Sequence, residues 1–404
     1  MIQIKDKKDC CGCSACVQKC PKKCISLQED NEGFLYPIVV EEICIDCGLC
    51  EKVCPVLHQN EPRKPLKVYA AINKNEEIRL QSSSGGIFTL LAEKTINDGG
   101  VVFGARFDDN WDVKHDYTDT IEGLAAFRGS KYVQSRIEDN FQKAENFLKV
   151  GRKVLFCGTP CQIAGLKRYL RKEYDNLLAV DFICHGVPSP GVWRRYLKET
   201  IAHECDKNSV SSDPISKESS HIENISFRNK STGWEKYSFS LTFSALTTKE
   251  RGKKVISFNE IYFRNLFMKG FLADLYLRPS CYECPSKCSK SGSDLTIADL
   301  WKASMVMSKK DDDLGISMVL INNDKYIDFE SICSFKELID GELALNNNLA
   351  YFKSVKCPEN RIAFFDAYKQ NKSLYFTIKI LTHINFIQKI LRLIKRIVRK
   401  IIKK

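Results

Sequence analysis

Three things are missing from this 404-residue chain, and each removes a class of protein. No uninterrupted apolar stretch is long enough to cross a bilayer, which excludes a helical membrane span. The first residues, MIQIKDKKDCCGC, hold no apolar core of the kind a secretory leader carries, so a reducing, cytoplasmic setting is expected. No acidic residue follows Asp366, although residues 367–404 contain eleven Lys or Arg. The net charge of +12 is therefore a property of the tail, and the rest of the chain sits at about +1. A nearly neutral body argues against folded domains that grip phosphate backbones, and no nucleic-acid partner is expected.

What the chain does have is nineteen cysteines. Without a secretory leader they read as metal or redox ligands rather than a disulfide framework. CCGCSACVQKCP sets Cys10, Cys13, Cys16 and Cys20 at C-x2-C-x2-C-x3-C-P, and ICIDCGLCEKVCP repeats that spacing with Cys44, Cys47, Cys50 and Cys54. A tight loop brings three thiolates to one cubane, and the fourth, just past the loop, reaches the other cluster. The first [4Fe–4S] cluster is thus assigned to Cys10, Cys13, Cys16 and Cys54, and the second to Cys44, Cys47, Cys50 and Cys20. Gly12 and Gly48 lie where backbone must pass close to the inorganic core. A four-cysteine zinc module is the rival, but zinc gains nothing from a third Cys two residues on. Cys11 and Cys24 fall outside the pattern and read as small buried hydrophobes.

At 44% hydrophobic residues and this length, two or three globular domains are expected. Residues 1–60 form the ferredoxin-type module, and EPRKP (61–65) reads as a linker. Beyond it, VYAAI, GVVFGARF, KVLFCG and LAVDFICHG read as strands. IFTLLAEKTI, IEDNFQKAENFLKV, CQIAGLKRYLRKEY and SPGVWRRYLKETIAHEC read as helices. Residues 206–221 read as a surface loop, and NKSTG as a hairpin turn leading into the alternating strand YSFSLTF. The fold class is α/β to α+β: the module, a mixed-sheet body divided into 66–150 and 151–330, and a helical tail over 331–404.

Six further cysteines lie in FCGTPCQ, DFICHGVPSP and RPSCYECPSKC. Cys161 and Cys184 sit at or just past strand ends, which share one rim in an α/β sheet. Cys281 and Cys284 add a C-x2-C loop able to close over that rim. Four thiolates from three loops suit one more [4Fe–4S] cluster, and zinc at the same residues is the alternative. Cys205, Cys333 and Cys357 stand alone and read as structural.

Five segments in order carry a resemblance: QSSSGGIFTLLA (81–92), GSKYVQS (129–135), GTPCQIAGLKRYL (158–170), DFICHGVPSP (181–190), and RPSCYEC followed by SDLTIADLW (278–301). Over residues 1–320 the chain resembles the family of coenzyme F-420 hydrogenase/dehydrogenase beta subunits, which are iron–sulfur flavoproteins. That resemblance implies a flavin (FAD) and a body cluster held by Cys161, Cys184, Cys281 and Cys284. It leaves Cys157 as a strand residue facing the core and Cys288 as a lesser substitute ligand. The chain departs from the family at Ala298, where Gly is frequent, and in having Cys288 at all.

SSSGG before a helix makes physical sense as an anion site. Ser83 or Ser84 is placed to cap the helix, and Gly85 and Gly86 let backbone amides approach a phosphate. With the resemblance, these four, Lys131, Gly158, Thr159 and Gln162 become the expected flavin contacts. His185, beside Cys184, is the candidate proton donor.

Residues 384–404 place Ile384, Ile387, Leu391, Ile394, Val398 and Ile401 on one helical face among many Lys and Arg. Such a basic amphipathic helix suits the interface of an anionic membrane. The leading functional expectation is a flavin-dependent iron–sulfur oxidoreductase fed by ferredoxin or another low-potential donor. It would reduce coenzyme F-420 or an organic, small-molecule or lipid-linked, substrate. The alternatives are a non-catalytic electron-transfer subunit of a hydrogenase or formate dehydrogenase complex and, more remotely, a zinc-stabilised binding protein.

Overall fold

The computed structural model describes residues 1–208, 220–246, 253–307, 311–325 and 335–383. The amphipathic tail 384–404, Cys333 and most of the 206–221 loop lie outside the described residues. The amino-terminal module pairs two antiparallel strands, β1 (Ile25–Glu29) and β2 (Leu35–Val39), beside short helices Ala15–Lys19 and Leu49–Lys52. Each helix opens on a left-handed residue, Ser14 at φ 63° and Gly48 at φ 68°. This turn curls the preceding Cys loop back on itself.

The body is built on an eight-stranded mixed sheet. Its strands in chain order are β3 (Lys67–Ile72), β4 (Val101–Phe107), β5 (Val113–Thr118), β6 (Val154–Cys157) and β7 (Leu177–Phe182). After the three strands of a separate sheet, β8 (His221–Asn229), β9 (Ser238–Leu246) and β10 (Lys253–Ile261), come β11 (Leu295–Asp299), β12 (Ser317–Ile321) and β13 (Phe335–Leu338). The spatial order is β13-β3-β12-β11-β7-β6-β4-β5. The centre, β4-β6-β7-β11, is parallel, and the flanking pairs are antiparallel.

Period-two alternation sends each central strand's side chains to two cores. Val101, Phe103, Val154, Phe156, Leu177 and Ala179 meet the helices Asn140–Lys149 and Pro160–Leu170 through Phe141, Ala144, Ile163 and Leu166. Val102, Leu155, Val180 and Leu295 face the opposite side, against Ile87, Leu90 and Leu91 of the helix Ile87–Asn97. Burying each such Leu, Ile or Phe contributes about 1.5–3 kcal/mol. The second sheet, β10-β9-β8, packs Phe227, Phe239, Leu241 and Phe243 on Trp193 and Tyr196 of the helix Pro190–Lys207. Parallel β6 and β7 end at the same rim, so the turns after them open toward one place.

The module is docked onto this body. Glu32 pairs with Arg361 at 2.5 and 3.1 Å, and Glu29 with Arg194 at 2.5 and 2.6 Å. Gly33 lies so close to Gly191 that a Cβ on it would sit 2.6 Å from the Gly191 backbone. The segment read as a linker is also tied down: Arg63 donates to the carbonyls of Cys288, Ser289 and Ser293.

Candidate functional site

In the module, Cys10, Cys13, Cys16 and Cys54 line one small cavity, and Cys20, Cys44, Cys47 and Cys50 line a second. The helices explain the crossing. Cys16 lies in the first short helix and Cys20 caps it, while Cys50 lies in the second and Cys54 follows it. Each helix therefore presents a thiol to both cavities. Burial pushes the Cys16 thiol up to about 12, so protons stay on such sulfur unless a metal displaces them. Cys11 and Cys24 are buried, as small hydrophobes would be, but both border these cavities. The Cys24 sulfur is 3.3 Å from that of Cys20.

In the body, Cys161, Cys184, Cys281 and Cys284 line a third cavity together with Cys288 and Cys11. Thr159 caps the helix Pro160–Leu170 in a reciprocal box with Gln162, which fixes Cys161 in the first turn. Cys184 follows β7 by two residues, and its carbonyl accepts from Lys287 at 2.7 Å. Cys281 and Cys284 sit on and just after the turn Pro279–Glu283, where the Val187 amide donates to the Cys281 sulfur at 3.4 Å. Burial pushes the Cys184 thiol up to about 12 as well. Cys11 lines both the first module cavity and this one, and so stands between module and body.

The third cavity shares the Phe182–Val187 segment with a fourth, of about 530 Å³, a size suited to a small-molecule or cofactor site. Ser83, Ser84, Gly86, Lys131, Gly158, Thr159, Gln162 and His185 all line it. Gly85 lies behind the wall, where a Cβ would be 2.6 Å from the Ala71 carbonyl and 2.7 Å from the Ser317 amide. Neither serine caps the helix. Gly86 is the cap, at φ 81°, because Ser83 Oγ accepts from the Ser130 amide and Ser84 Oγ donates to the Ile316 carbonyl. Cys157 also lines the cavity rather than facing only the core. Ala298 lines it too.

Lys131 donates to the carbonyls of Phe127, Arg128 and Gly129, and desolvation brings its ammonium down to about 7. His185 Nε2 lies 2.6 Å from Asp274 Oδ1, which orients the ring beside Cys184.

Two residues of this wall, His115 and Arg228, and two that hydrogen-bond its SSSGG loop, Lys230 and Trp234, escaped the sequence reading. His115, on β5 and 1% exposed, contacts the Cys157 carbonyl through Nε2 and Ser135 Oγ through Nδ1, both at 3.0 Å. Gln162 Nε2 donates to the same Ser135 oxygen at 2.9 Å. Ser135 then donates to Nδ1, which assigns the proton to Nε2 and ties the turn after β6 to β5. Arg228 pairs with Asp299 at 2.9 Å, while its Nε and Nη2 find no acceptor among the described residues and its guanidinium lies among the rings of Tyr237, Trp301 and Trp234. Lys230 donates to the carbonyls of Arg79, Ser84 and Leu314, and Trp234 Nε1 to that of Ser83. The hairpin turn of the small sheet thus pins the SSSGG loop. FRNKSTGW held the only sequence signal, and it read simply as a turn.

A two-cavity ferredoxin module joined through buried thiols to an α/β body with a further thiol cavity defines an iron–sulfur electron-transfer protein. Residues 9–57 match the 4Fe-4S dicluster domain. Residues 68–139 match the N-terminal model of the coenzyme F420 hydrogenase/dehydrogenase beta subunit, and 151–333 match its C-terminal model. The chain belongs to the family of coenzyme F420 hydrogenase/dehydrogenase beta subunits.

Among relatives, it is 25% identical over 189 residues to a subunit of the F(420)H(2) dehydrogenase of Methanosarcina mazei, covering 43% of this chain and 53% of that one. An uncharacterized protein of Methanocaldococcus jannaschii is 24% identical over 43% of this chain and 56% of its own. The chain thus spans about half the length of these relatives. A 7Fe ferredoxin of Hydrogenibacillus schlegelii is 39% identical over 67 residues, 16% of this chain and 77% of its own. A chain of the F420-reducing [NiFe] hydrogenase complex from Methanosarcina barkeri aligns at 16% identity and TM-score 0.37, covering 76% of this chain and 89% of that one.

Proposed function

We propose that the protein is an iron–sulfur flavoprotein oxidoreductase. It takes electrons from a ferredoxin-type donor through [4Fe–4S] clusters to a flavin (FAD) and delivers them to coenzyme F-420 or an organic substrate. One observation carries this reading: the first module cavity, the body thiol cavity and the large cavity adjoin in series, and the two short helices link the first module cavity to the second. Cys11 borders both the first module cavity and the body thiol cavity, and Phe182–Val187 borders both that cavity and the large one.

Cys10, Cys13, Cys16 and Cys54 would hold one cluster, and Cys20, Cys44, Cys47 and Cys50 another. Cys161, Cys184, Cys281 and Cys284 would hold the third. Three sets of four gathered thiols fit such cores, and a large cavity with glycine backbone and a lysine in its wall fits a flavin. A bound flavin supplies the exchange between one-electron and two-electron transfer. Ser83, Ser84, Gly85 and Gly86 shape the backbone at the helix start, and Lys131 places positive charge in the wall. Gly158, Thr159 and Gln162 hold the turn that also carries Cys161. Asp274 fixes His185 so that its imidazole can hold a proton at the cavity wall.

The described helix Leu374–Leu381 exposes Tyr375, Phe376 and Ile380 immediately before the basic tail. We assign this end of the chain to contact with an anionic membrane surface, which favours a membrane-proximal substrate. Among the described residues, no helix is long and apolar enough to cross a membrane. A second reading, an electron-transfer subunit without its own substrate, is favoured by the M. mazei relative being named a dehydrogenase subunit.

The test is to purify the chain anaerobically and measure iron, acid-labile sulfide, zinc and flavin together. About twelve irons and one flavin support three cubanes and an active flavoenzyme. Turnover of coenzyme F-420 with reduced ferredoxin then separates enzyme from relay. About eight irons without flavin would reduce the reading to the ferredoxin module alone.

A further inference from the structure

Every strongly buried arginine in the described body except one meets a carboxylate. Arg79 pairs with Asp312, Arg228 with Asp299 and Arg361 with Glu32. The exception is Arg278, 0% exposed. Its Nε donates to the Cys10 carbonyl at 2.7 Å, Nη1 to Gln134 Oε1 at 2.9 Å and Nη2 to the Leu35 carbonyl at 2.9 Å. Nη2 also lies 3.4 Å from the Cys10 sulfur, and the guanidinium sits 4.2 Å from the centre of the Tyr36 ring. A buried guanidinium keeps its proton, and leaving its charge without a counter-ion is costly. Among the described residues, Cys10 is the one whose sulfur it hydrogen-bonds.

We propose that Arg278 is the counter-charge of the iron–sulfur core held at Cys10, and that it raises that core's reduction potential; this rests on the ligand reading given above. Reduction adds one electron and one negative charge to the core, and no bond breaks. A fixed cation at hydrogen-bond distance from a ligand sulfur stabilises the more negative state, and water is excluded from between them. Arg278 comes from the body, three residues before Cys281. The body therefore acts on the module's cluster through this side chain. An isolated module would lack that charge and hold its cluster at a lower potential. The effect would favour reduction of the module's body-facing site, whose cavity shares Cys11 with the body thiol cavity.

Redox titration of the full chain, followed by electron paramagnetic resonance with iron counted on each sample, tests this. R278Q removes the charge. Q134E instead leaves Arg278 in place and gives it the carboxylate it lacks, at the loss of the hydrogen bond that Gln134 Nε2 donates to the Cys11 carbonyl at 3.1 Å. Both are expected to keep wild-type iron and to move one midpoint to a more negative potential, leaving the others in place. R278K, which keeps the charge, is expected to stay near wild type. Unmoved midpoints in both R278Q and Q134E would overturn the proposal. If both neutralising variants lose iron, retention of that iron in R278K supports the charge. Loss of it in R278K too would make Arg278 structural and overturn the proposal. C10S with an undiminished iron count would sink the ligand reading itself. C10S depleted of iron beside unmoved midpoints in the neutralising variants would sink only the role of Arg278.

Discussion

His115 offers a sharp test of the wall that holds the turn after β6, because its protonation state is bound to the fold. Burial takes its imidazole from 6.5 down to about 4; the Cys157 carbonyl opposes this and the Lys131 charge adds to it. In the unfolded chain the ring returns to the ordinary value and binds a proton more tightly than in the fold. Stability contributed by neutral His115 is therefore complete above 6.5 and is lost as pH falls toward 4. The loss approaches about 1.4 kcal/mol per pH unit and totals about 3 kcal/mol across the window. Protonating Nδ1 also destroys the acceptor that the Ser135 hydroxyl uses.

The perturbation is His115→Gln. At pH 8 the variant should be less stable by roughly 1–3 kcal/mol, since two ring hydrogen bonds go. Its stability should then fall less steeply than wild type between pH 6.5 and 4.5, so that the curves converge. Urea unfolding of the full chain, followed by fluorescence of the buried Trp193 and Trp234, reads both quantities. Asp181 titrates in the same window with the opposite sign. Burial lifts its carboxyl to about 6 against the hydroxyl hydrogen bonds of Ser291 and Thr296, so its contribution is present below 3.8 and lost as pH rises through 6. That contribution is common to both proteins and cancels in their difference. Parallel pH dependences would refute the buried, neutral assignment of His115.

Gly165→Ala should deplete iron from the module and destabilise the chain by about 1–3 kcal/mol. The new Cβ would lie 2.8 Å from the Cys13 Cβ, and iron analysis beside thermal unfolding checks it. Lys230→Met should cost about 2–4 kcal/mol by stripping three carbonyls of their donor, and should weaken flavin retention by loosening Ser84. Equal flavin content after gel filtration would count against that role. Truncation after His383 should abolish sedimentation with phosphatidylglycerol vesicles at low salt while leaving iron content unchanged; undiminished sedimentation would move the membrane contact elsewhere. Tryptic cleavage within residues 61–65 should leave residues 1–60 bound to the body in gel filtration, and release of the module would contradict the docking contacts.

The elements legible in the sequence were those with local causes. Repeated Cys spacing marked the module, and short apolar runs marked β3, β4, β6 and β7. CQIAGLKRYLRKEY read as a helix, which the structure forms over Pro160–Leu170 with Thr159 as its cap. What stayed hidden depends on contacts between distant segments. Ser83 and Ser84 looked like caps because nothing in SSSGG reveals that Ser130 and Ile316 compete for their hydroxyls. Lys230 and His115 look like surface residues until the hairpin and β5 are folded against the body. Cys11 reads as a small buried hydrophobe until Cys161, 150 positions away, comes to line the same cavity.

The same limit applies to the segment between module and body, and there it changes the physical picture. EPRKP has the composition of a linker, and a tethered ferredoxin would meet its body by diffusion over a range of distances. The contacts describe a fixed junction instead. Glu32 and Arg361 form a mostly buried pair, whose rupture by loss of one partner costs on the order of 3–5 kcal/mol. Gly33 and Gly191 touch backbone to backbone, and a Cβ added at Gly165 would strike Cys13. Arg278 reaches from the body to two carbonyls and a sulfur of the module. Glycine at each close approach is what allows the two surfaces to meet without side chains between them. A junction of this kind holds the thiol cavities on either side of Cys11 at one separation, so passage between them depends on packing at the seam and not on the length of the connecting chain.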